Sequence, residues 1–209
     1  MSNTTSVLRI DSSARGSASV SKQLTQYLVD QFAREEAIEL LERDLGEQPL
    51  APIAAAELVA VHGSADPVDK AAQKQLALSD TLVAELMAAD VLVIGAPMYN
   101  FGVAATLKAW VDHICRARIT FRYTDSGPQG LTNIEHGFIV VSTGGTRVGS
   151  SADFVSGYLR QILKFIGVRN VHVIHADGSK HSADEIVANA RGQINTLLEA
   201  RRENSAVEA

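Results

Sequence analysis

Val91-Leu92-Val93-Ile94-Gly95-Ala96-Pro97 is an apolar run that stops at a proline. A short run rich in Val and Ile and bounded by turn residues predicts a strand buried on both faces. Strands covered on both faces belong to parallel sheets with helices above and below, so the run points to an α/β fold. It opens into Met98-Tyr99-Asn100-Phe101-Gly102. Loops leaving the carboxyl end of such a strand are where open α/β sheets bind ligands. Tyr99 and Phe101 offer flat apolar surface, and Asn100 offers an amide donor and acceptor. That mixture suits a planar heterocycle with polar edges. An ordinary connecting loop with a tucked-in aromatic pair would read the same from these residues alone.

A second segment narrows the choice. Val7-Leu8-Arg9-Ile10 reads as a first strand and runs into Asp11-Ser12-Ser13-Ala14-Arg15-Gly16-Ser17-Ala18-Ser19-Val20-Ser21. Leu24, Tyr27, Leu28 and Phe32 then recur at helical spacing. The order is strand, hydroxyl-rich loop, helix, which aims the free N–H groups and positive dipole end of the helix at the loop. Such a helix start binds anions. Ser19 is placed to cap the helix, with Ser21 and Lys22 in its first turn. A serine-rich capped helix without a ligand would share this pattern. The loop carries neither G-x-x-x-x-G-K-[ST] nor G-x-G-x-x-G, which disfavours a Walker-type triphosphate site and a Rossmann dinucleotide site. What remains is a neutral cradle for one terminal phosphate. Flavin mononucleotide has a phosphate at one end and a flat tricycle at the other, and one doubly wound topology binds it between the first and third strands.

Further elements alternate along the chain. A second strand is expected at Ile38–Arg43, a short helix at Ala54–Val61 within a long connection from Gly46 to Pro67, and a helix at Val68–Ala89. After the third strand come a helix at Ala104–Ala117 with Trp110 in the core, and a turn-rich excursion from Ile119 to Gly130. A fourth strand spans Gly137–Val141 and ends in Ser142-Thr143-Gly144-Gly145, where glycines permit close backbone approach to a ligand. A helix at Ala152–Ile166, a fifth strand at Val171–His175 and a polar helix at Ser182–Arg202 complete the pattern, with a frayed tail over Glu203–Ala209. Five strands alternating with helices predict one doubly wound parallel sheet in a single domain over 1–209, with helices on both faces.

Composition excludes several classes. The chain has 19 Lys and Arg against 24 acidic residues, a formal charge of −5, and no basic stripe for nucleic acid. No apolar run reaches membrane-spanning length. Met1-Ser2-Asn3-Thr4-Thr5 lacks a secretory pattern, and the single Cys115 forms no internal disulfide, so a cytoplasmic location is expected. Cys115, in a helix, reads as inert packing. There is no G-x-S-x-G elbow. No His or Cys spacing suggests a metal site: His172 and His175 point to opposite faces of their strand. No acid/base pair or nucleophile stands out, so no catalytic side chain is assigned. An enzyme of this kind borrows its chemistry from a cofactor.

Ser12-Ser13, Ser19-Val20-Ser21-Lys22-Gln23-Leu24, Ala96-Pro97-Met98-Tyr99-Asn100-Phe101, Thr120-Phe121-Arg122-Tyr123-Thr124, Gly127-Pro128 and Gly144-Gly145 occur in this order across nearly the whole chain. With them the chain resembles the bacterial FMN-dependent, NADH-using azoreductases, which are also quinone reductases of the flavodoxin-like superfamily. The resemblance implies a flavodoxin-like fold and one FMN per subunit, with NADH or NADPH as donor. It implies quinones and azo compounds as acceptors, reduced two electrons at a time in a ping-pong cycle. Ser13, Ser19, Val20 and Ser21 would hold the phosphate. Met98, Tyr99, Asn100 and Phe101 would wrap the ribityl chain and ring edge, and Ser142, Thr143, Gly144 and Gly145 would close on the pyrimidine side. The family forms homodimers, in which Tyr123 and Phe165 of one subunit would cover the substrate of the other. Several relatives carry arginine where this chain has Thr143, which removes a cation or passes its role to Arg147. A flavodoxin-like electron carrier and a redox-sensing module are the competing readings of the same fold. A carrier calls for a stronger acidic docking face than −5 provides.

Overall fold

The computed structural model describes residues 4–62, 69–178 and 182–208. Met1–Asn3, Pro67, the Val68 helix start and Ala209 of the expectations above lie outside the described residues.

Five strands form the sheet: β1 (Thr5–Asp11), β2 (Ile38–Asp44), β3 (Val91–Pro97), β6 (His136–Ser142) and β7 (Asn170–Ala176). All pair in parallel in the order β2-β1-β3-β6-β7. The chain moves outward from β1 to β2 and then crosses back to β3, so the direction of winding reverses between β1 and β3. A crevice forms at such a reversal, outside the carboxyl ends of the strands. Register places it: Asp11 pairs with Gly95, Pro97 with Ser142, and Ser142 with Ala176. Four strand ends thus deliver their loops to one rim.

Alternation of side chains divides the core in two. Val7, Val91, Val93, Phe138, Val140 and Ile174 face α1 (Val20–Glu35) and α6 (Ala183–Glu208). Leu8, Ile10, Leu92, Ile94, Ile139 and Val141 face α3 (Lys70–Ala88), α4 (Ala105–Ile114) and α5 (Ser156–Ile166). Trp110 is fully buried in the second layer, as its helical spacing predicts. Each Leu or Phe withdrawn from water contributes roughly 1.5–3 kcal/mol, more than local propensities can oppose. α2 (Ala55–His62) packs on α3. Asp69 caps α3, its carboxylate accepting from the Ala72 amide at 2.8 Å.

The structure corrects the sequence reading in three places. The turn-rich excursion is an antiparallel hairpin, β4 (Phe121–Thr124) with β5 (Gly127–Gly130). Pro and Gly mark it as a turn in sequence, yet a two-stranded ribbon tolerates Pro128 at an edge. It seats against the end of α5: a Cβ on Gly130 would fall 2.1 Å from the Gly167 nitrogen. Helix bounds also shift, since α4 stops at Ile114 and α5 starts at Ser156. The tail stays helical to Glu208, and just before it Arg201 and Arg202 pair with Glu36 and Glu35 of α1 at 2.9 and 3.4 Å.

Candidate functional site

The loop after β1 is held from beneath. Ser12 Oγ donates to the Gly95 carbonyl at 2.8 Å, and the Leu45 amide donates to the Asp11 carbonyl at 2.7 Å. A 3-10 turn at Gly16–Ala18 leads into α1, with Gly16 at φ +54°. Ser19 then caps α1: its hydroxyl accepts from the Lys22 amide at 3.2 Å and lies 3.1 Å from Ser21 Oγ. The first-turn amides of Val20 and Ser21 precede the first helical bond, Gln23 N to Ser19 O, so they have no intrahelical partner.

The loop after β3 is a tight two-residue turn. Tyr99 and Gly102 exchange both backbone hydrogen bonds at 3.0 Å, with Asn100 at φ +49° and Phe101 at φ +71° between them. Left-handed backbone at both central residues defines a type I′ turn, normally the place of Asn-Gly. A phenylalanine there costs about 1–2 kcal/mol, and strain of this sort clusters at ligand-binding sites. The Phe101 carbonyl accepts from the Phe154 amide at 3.2 Å, fixing the tip. The Tyr99 hydroxyl accepts from the Ala14 amide at 3.1 Å and lies 3.3 Å from Ser13 Oγ, tying this loop to the first.

The loop after β6 is pinned to the end of β7. The Thr143 amide donates to the Ala176 carbonyl at 3.1 Å, and the Val148 amide to Asp177 Oδ2 at 2.5 Å. Asp153 gathers the amides of Gly149, Val155 and Ser156. Burial pushes its carboxyl up, but these hydrogen bonds and that of the Ser156 hydroxyl outweigh it and hold the pKa below the ordinary range. The Thr143 hydroxyl turns back to the Thr146 carbonyl at 2.5 Å.

These loops enclose a cavity of about 280 Å³. Ser13, Ser19 and Val20 line one part, and Met98, Tyr99, Ser142, Thr143 and Gly144 another. Those eight were expected from sequence. The other four of the cofactor-binding set stand elsewhere. Ser21 is buried against Ser19, Asn100 and Phe101 occupy the exposed turn tip, and Gly145 lies outside the lining. Tyr123 and Phe165 sit away from this cavity, each against Phe121 at ring distances of 5.5 and 4.2 Å. Sequence reasoning missed Pro97, Ala176, Gly178, Ala183 and Ile186 in the wall. The only available signal for the last four was that β7, like β6, ends in a small residue followed by glycine within two positions. It also read the cradle as neutral, whereas Arg15 lines it; Arg147 does not.

Chemically, the wall fits a phosphorylated flavin. Hydroxyls, unpaired helix amides and Arg15 suit a phosphate, while Val20, Pro97, Met98 and Ile186 give apolar surface for a ring. Among the described residues no carboxylate lines the cavity, no group of three or more His, Cys, Asp or Glu is arranged for a metal ion, and no helix is long and apolar enough to cross a membrane. Burial pushes the Cys115 thiol up to about 12, which keeps it unreactive.

Sheet order and site together define a doubly wound α/β protein with a ligand crevice at its winding reversal. Residues 5–198 match the family described as having the flavodoxin-like fold. An FMN-dependent NADH:quinone oxidoreductase of Hahella chejuensis is 46% identical over 197 residues, covering 93% of this chain and 96% of that protein. Another, from Jannaschia sp., is 46% identical over 193 residues, covering 92% and 98%. Among solved structures, an FMN-dependent NADH-azoreductase from Bacillus anthracis in complex with FMN superposes with a TM-score of 0.83 at 20% identity, covering 94% of this chain and 98% of that one. A second B. anthracis azoreductase gives 0.81 at 23%, covering 92% and 98%. The chain belongs to the flavodoxin-like fold family and, within it, to the FMN-dependent NADH:quinone oxidoreductases.

Proposed function

We propose that this protein is an FMN-dependent NAD(P)H oxidoreductase that reduces quinones to hydroquinones and cleaves aromatic azo compounds to amines. The observation that carries the reading is the cavity at the β1/β3 reversal, with anion donors at one part and apolar surface at another. The quinone oxidoreductases at 46% identity support the same reading. Bound FMN would supply the redox chemistry, a hydride from the nicotinamide providing two electrons per cycle, with one cycle sufficing for a quinone and two needed to split an azo bond into two amines.

The protein's part is to bind, orient and shield. Ser13, Ser19 and the amides of Val20 and Ser21 hold the phosphate. Met98 and Tyr99 flank the ribityl chain and ring, with the Asn100-Phe101 tip reaching over from the rim, and Ser142, Thr143 and Gly144 bound the pyrimidine side, with Gly145 just beyond them. The Tyr99–Ser13 contact keeps the phosphate and ring subsites at a fixed separation. No side chain is asked to act as nucleophile or metal ligand.

The working form is a cytoplasmic homodimer. Phe101, Phe154 and Tyr123 are 55, 65 and 75% exposed, more apolar surface than a lone subunit should leave in water. Tyr123 and Phe165 stand off their own chain's cavity, as covers for a partner's site would. Sedimentation at twice the chain mass is the expected result, and sedimentation at the chain mass overturns the dimer.

The function itself is tested by anaerobic absorbance spectroscopy of FMN-loaded protein. Flavin bands that bleach with NADH and return with a quinone or azo dye support the proposal. Bands that NADH cannot bleach favour an electron carrier, and failure to take up FMN removes the reading.

A further inference from the structure

We infer that Arg15 is the residue that makes this site select phosphorylated over unphosphorylated flavin. The inference rests on the FMN reading above. Arg15 is the only charged residue in the cavity lining among the described residues. Its backbone is fixed: the Arg15 amide donates to Ser13 Oγ at 3.3 Å, and its carbonyl accepts from the Ala18 amide at 3.2 Å. Its side chain is exposed. Asp11, the nearest carboxylate in sequence, and the acidic pair around the end of β2 are already engaged. Asp11 lies 3.1 Å from Arg9, while Asp44 and Glu47 pair with Lys22. Arg15 is therefore held at the rim of the phosphate subsite with its guanidinium available.

The other donors at that end are hydroxyls and amides. The hydroxyls serve a terminal alcohol or a phosphate alike, and the amides and dipole end of α1 favour the anion by only about two- to fivefold (about 0.3–1 kcal/mol), so together they discriminate weakly between riboflavin and FMN. A guanidinium separates the two, because it forms charge-assisted, forked contacts with phosphate oxygens only. The chain as a whole carries −5, so a phosphate approaching the protein meets a repulsive background that a local cation offsets. Arg15 also supplies the cation that Thr143 lacks, but at the phosphate end rather than beside the ring.

The test is fluorescence titration of flavin-free protein with FMN and with riboflavin. Arg15→Ala should raise the FMN Kd about tenfold, the effect of one charge-assisted bond, and leave the riboflavin Kd within about twofold. Arg15→Lys should fall between the two proteins. The FMN difference should shrink at about 1 M salt, where an exposed charge is screened. Equal effects on both flavins, or none on FMN, overturn the inference. So does a change confined to the KM for NADH, which would place Arg15 on the donor's phosphates. Wild-type protein that binds neither flavin refutes the FMN reading itself.

Discussion

Gly46→Ala is expected to cost the protein its hold on FMN while leaving the sheet intact. Gly46 follows β2, and a Cβ there would lie 2.1 Å from the Ser13 carbonyl oxygen and 2.9 Å from its carbon. Both are backbone atoms, so no rotamer change relieves the clash; the phosphate loop must move. That loop is also tied to Gly95 by Ser12 and to Tyr99 by Ser13 and Ala14, so a shift spreads to the ring side of the cavity. Overpacking of this kind costs about 1–3 kcal/mol, and we expect FMN affinity to fall by about tenfold or more. Gly157→Ala is the control: a Cβ there meets nothing within 4 Å in α5, so it should be neutral or stabilise by about 0.5–1 kcal/mol. FMN titration with thermal melts of both variants decides the matter. Unchanged FMN affinity in Gly46→Ala would show that the loop yields freely.

The second large effect is a pH dependence centred on Asp11. Burial pushes its carboxyl up to about 6, against the Thr25 hydrogen bond and Arg9, which pull it down. Its Oδ1 accepts from the Thr25 hydroxyl at 2.8 Å and packs so close to Gly95 that a Cβ there would fall 2.4 Å from it. The charged neighbours are Arg9, Lys22 and Asp44, with Glu42 paired to Arg9. The folded pKa lies above the model-peptide value of 3.8, so the folded state binds the proton more tightly. The stability this proton confers is present below about pH 4 and is lost as the pH rises to about 6. Asp11→Asn keeps the acceptor for Thr25 but cannot ionise. The stability of Asp11→Asn relative to wild type should therefore be flat below about pH 4, climb between about 4 and 6, and level off by about 3 kcal/mol. Any fixed loss at Arg9 displaces this curve without changing its shape. Urea denaturation of flavin-free protein across that range is the measurement; a difference independent of pH refutes the burial argument.

Local pattern carried much of the architecture. The apolar runs of β1, β3 and β6 announce strands because burial on both faces favours apolar side chains throughout; Arg9 and Asp11 of β1 are buried exceptions that pair with each other. The sheet order then follows from right-handed crossovers between the strands. The β4–β5 hairpin stayed hidden because Pro128 and the glycines that permit its contact with α5 are also the residues of loops. Much of the cavity was legible because its walls are loops at strand ends, and strand ends are visible in sequence. The rest depends on contacts that no local signal encodes. Gly46 matters only because it meets Ser13 across the fold. Ala183 and Ile186 matter only because α6 returns beside α1. Arg15 was overlooked because serines dominate its loop, and charge is felt only once the cavity has a shape.

The pinning of the fourth loop by the end of β7 has a consequence for synthesis. Thr143 and Val148 are held by Ala176 and Asp177, which a ribosome adds more than 25 residues later, and the last wall of the cavity, at Ala183 and Ile186, comes later still. Every other wall is already translated by then. A growing chain therefore carries most of the crevice without its closing side, so cofactor capture is expected to wait until that side has been made. A flavin-loaded molecule certifies that the carboxyl-terminal β-α unit has docked, which makes the cofactor a reporter of completed folding as well as a reagent.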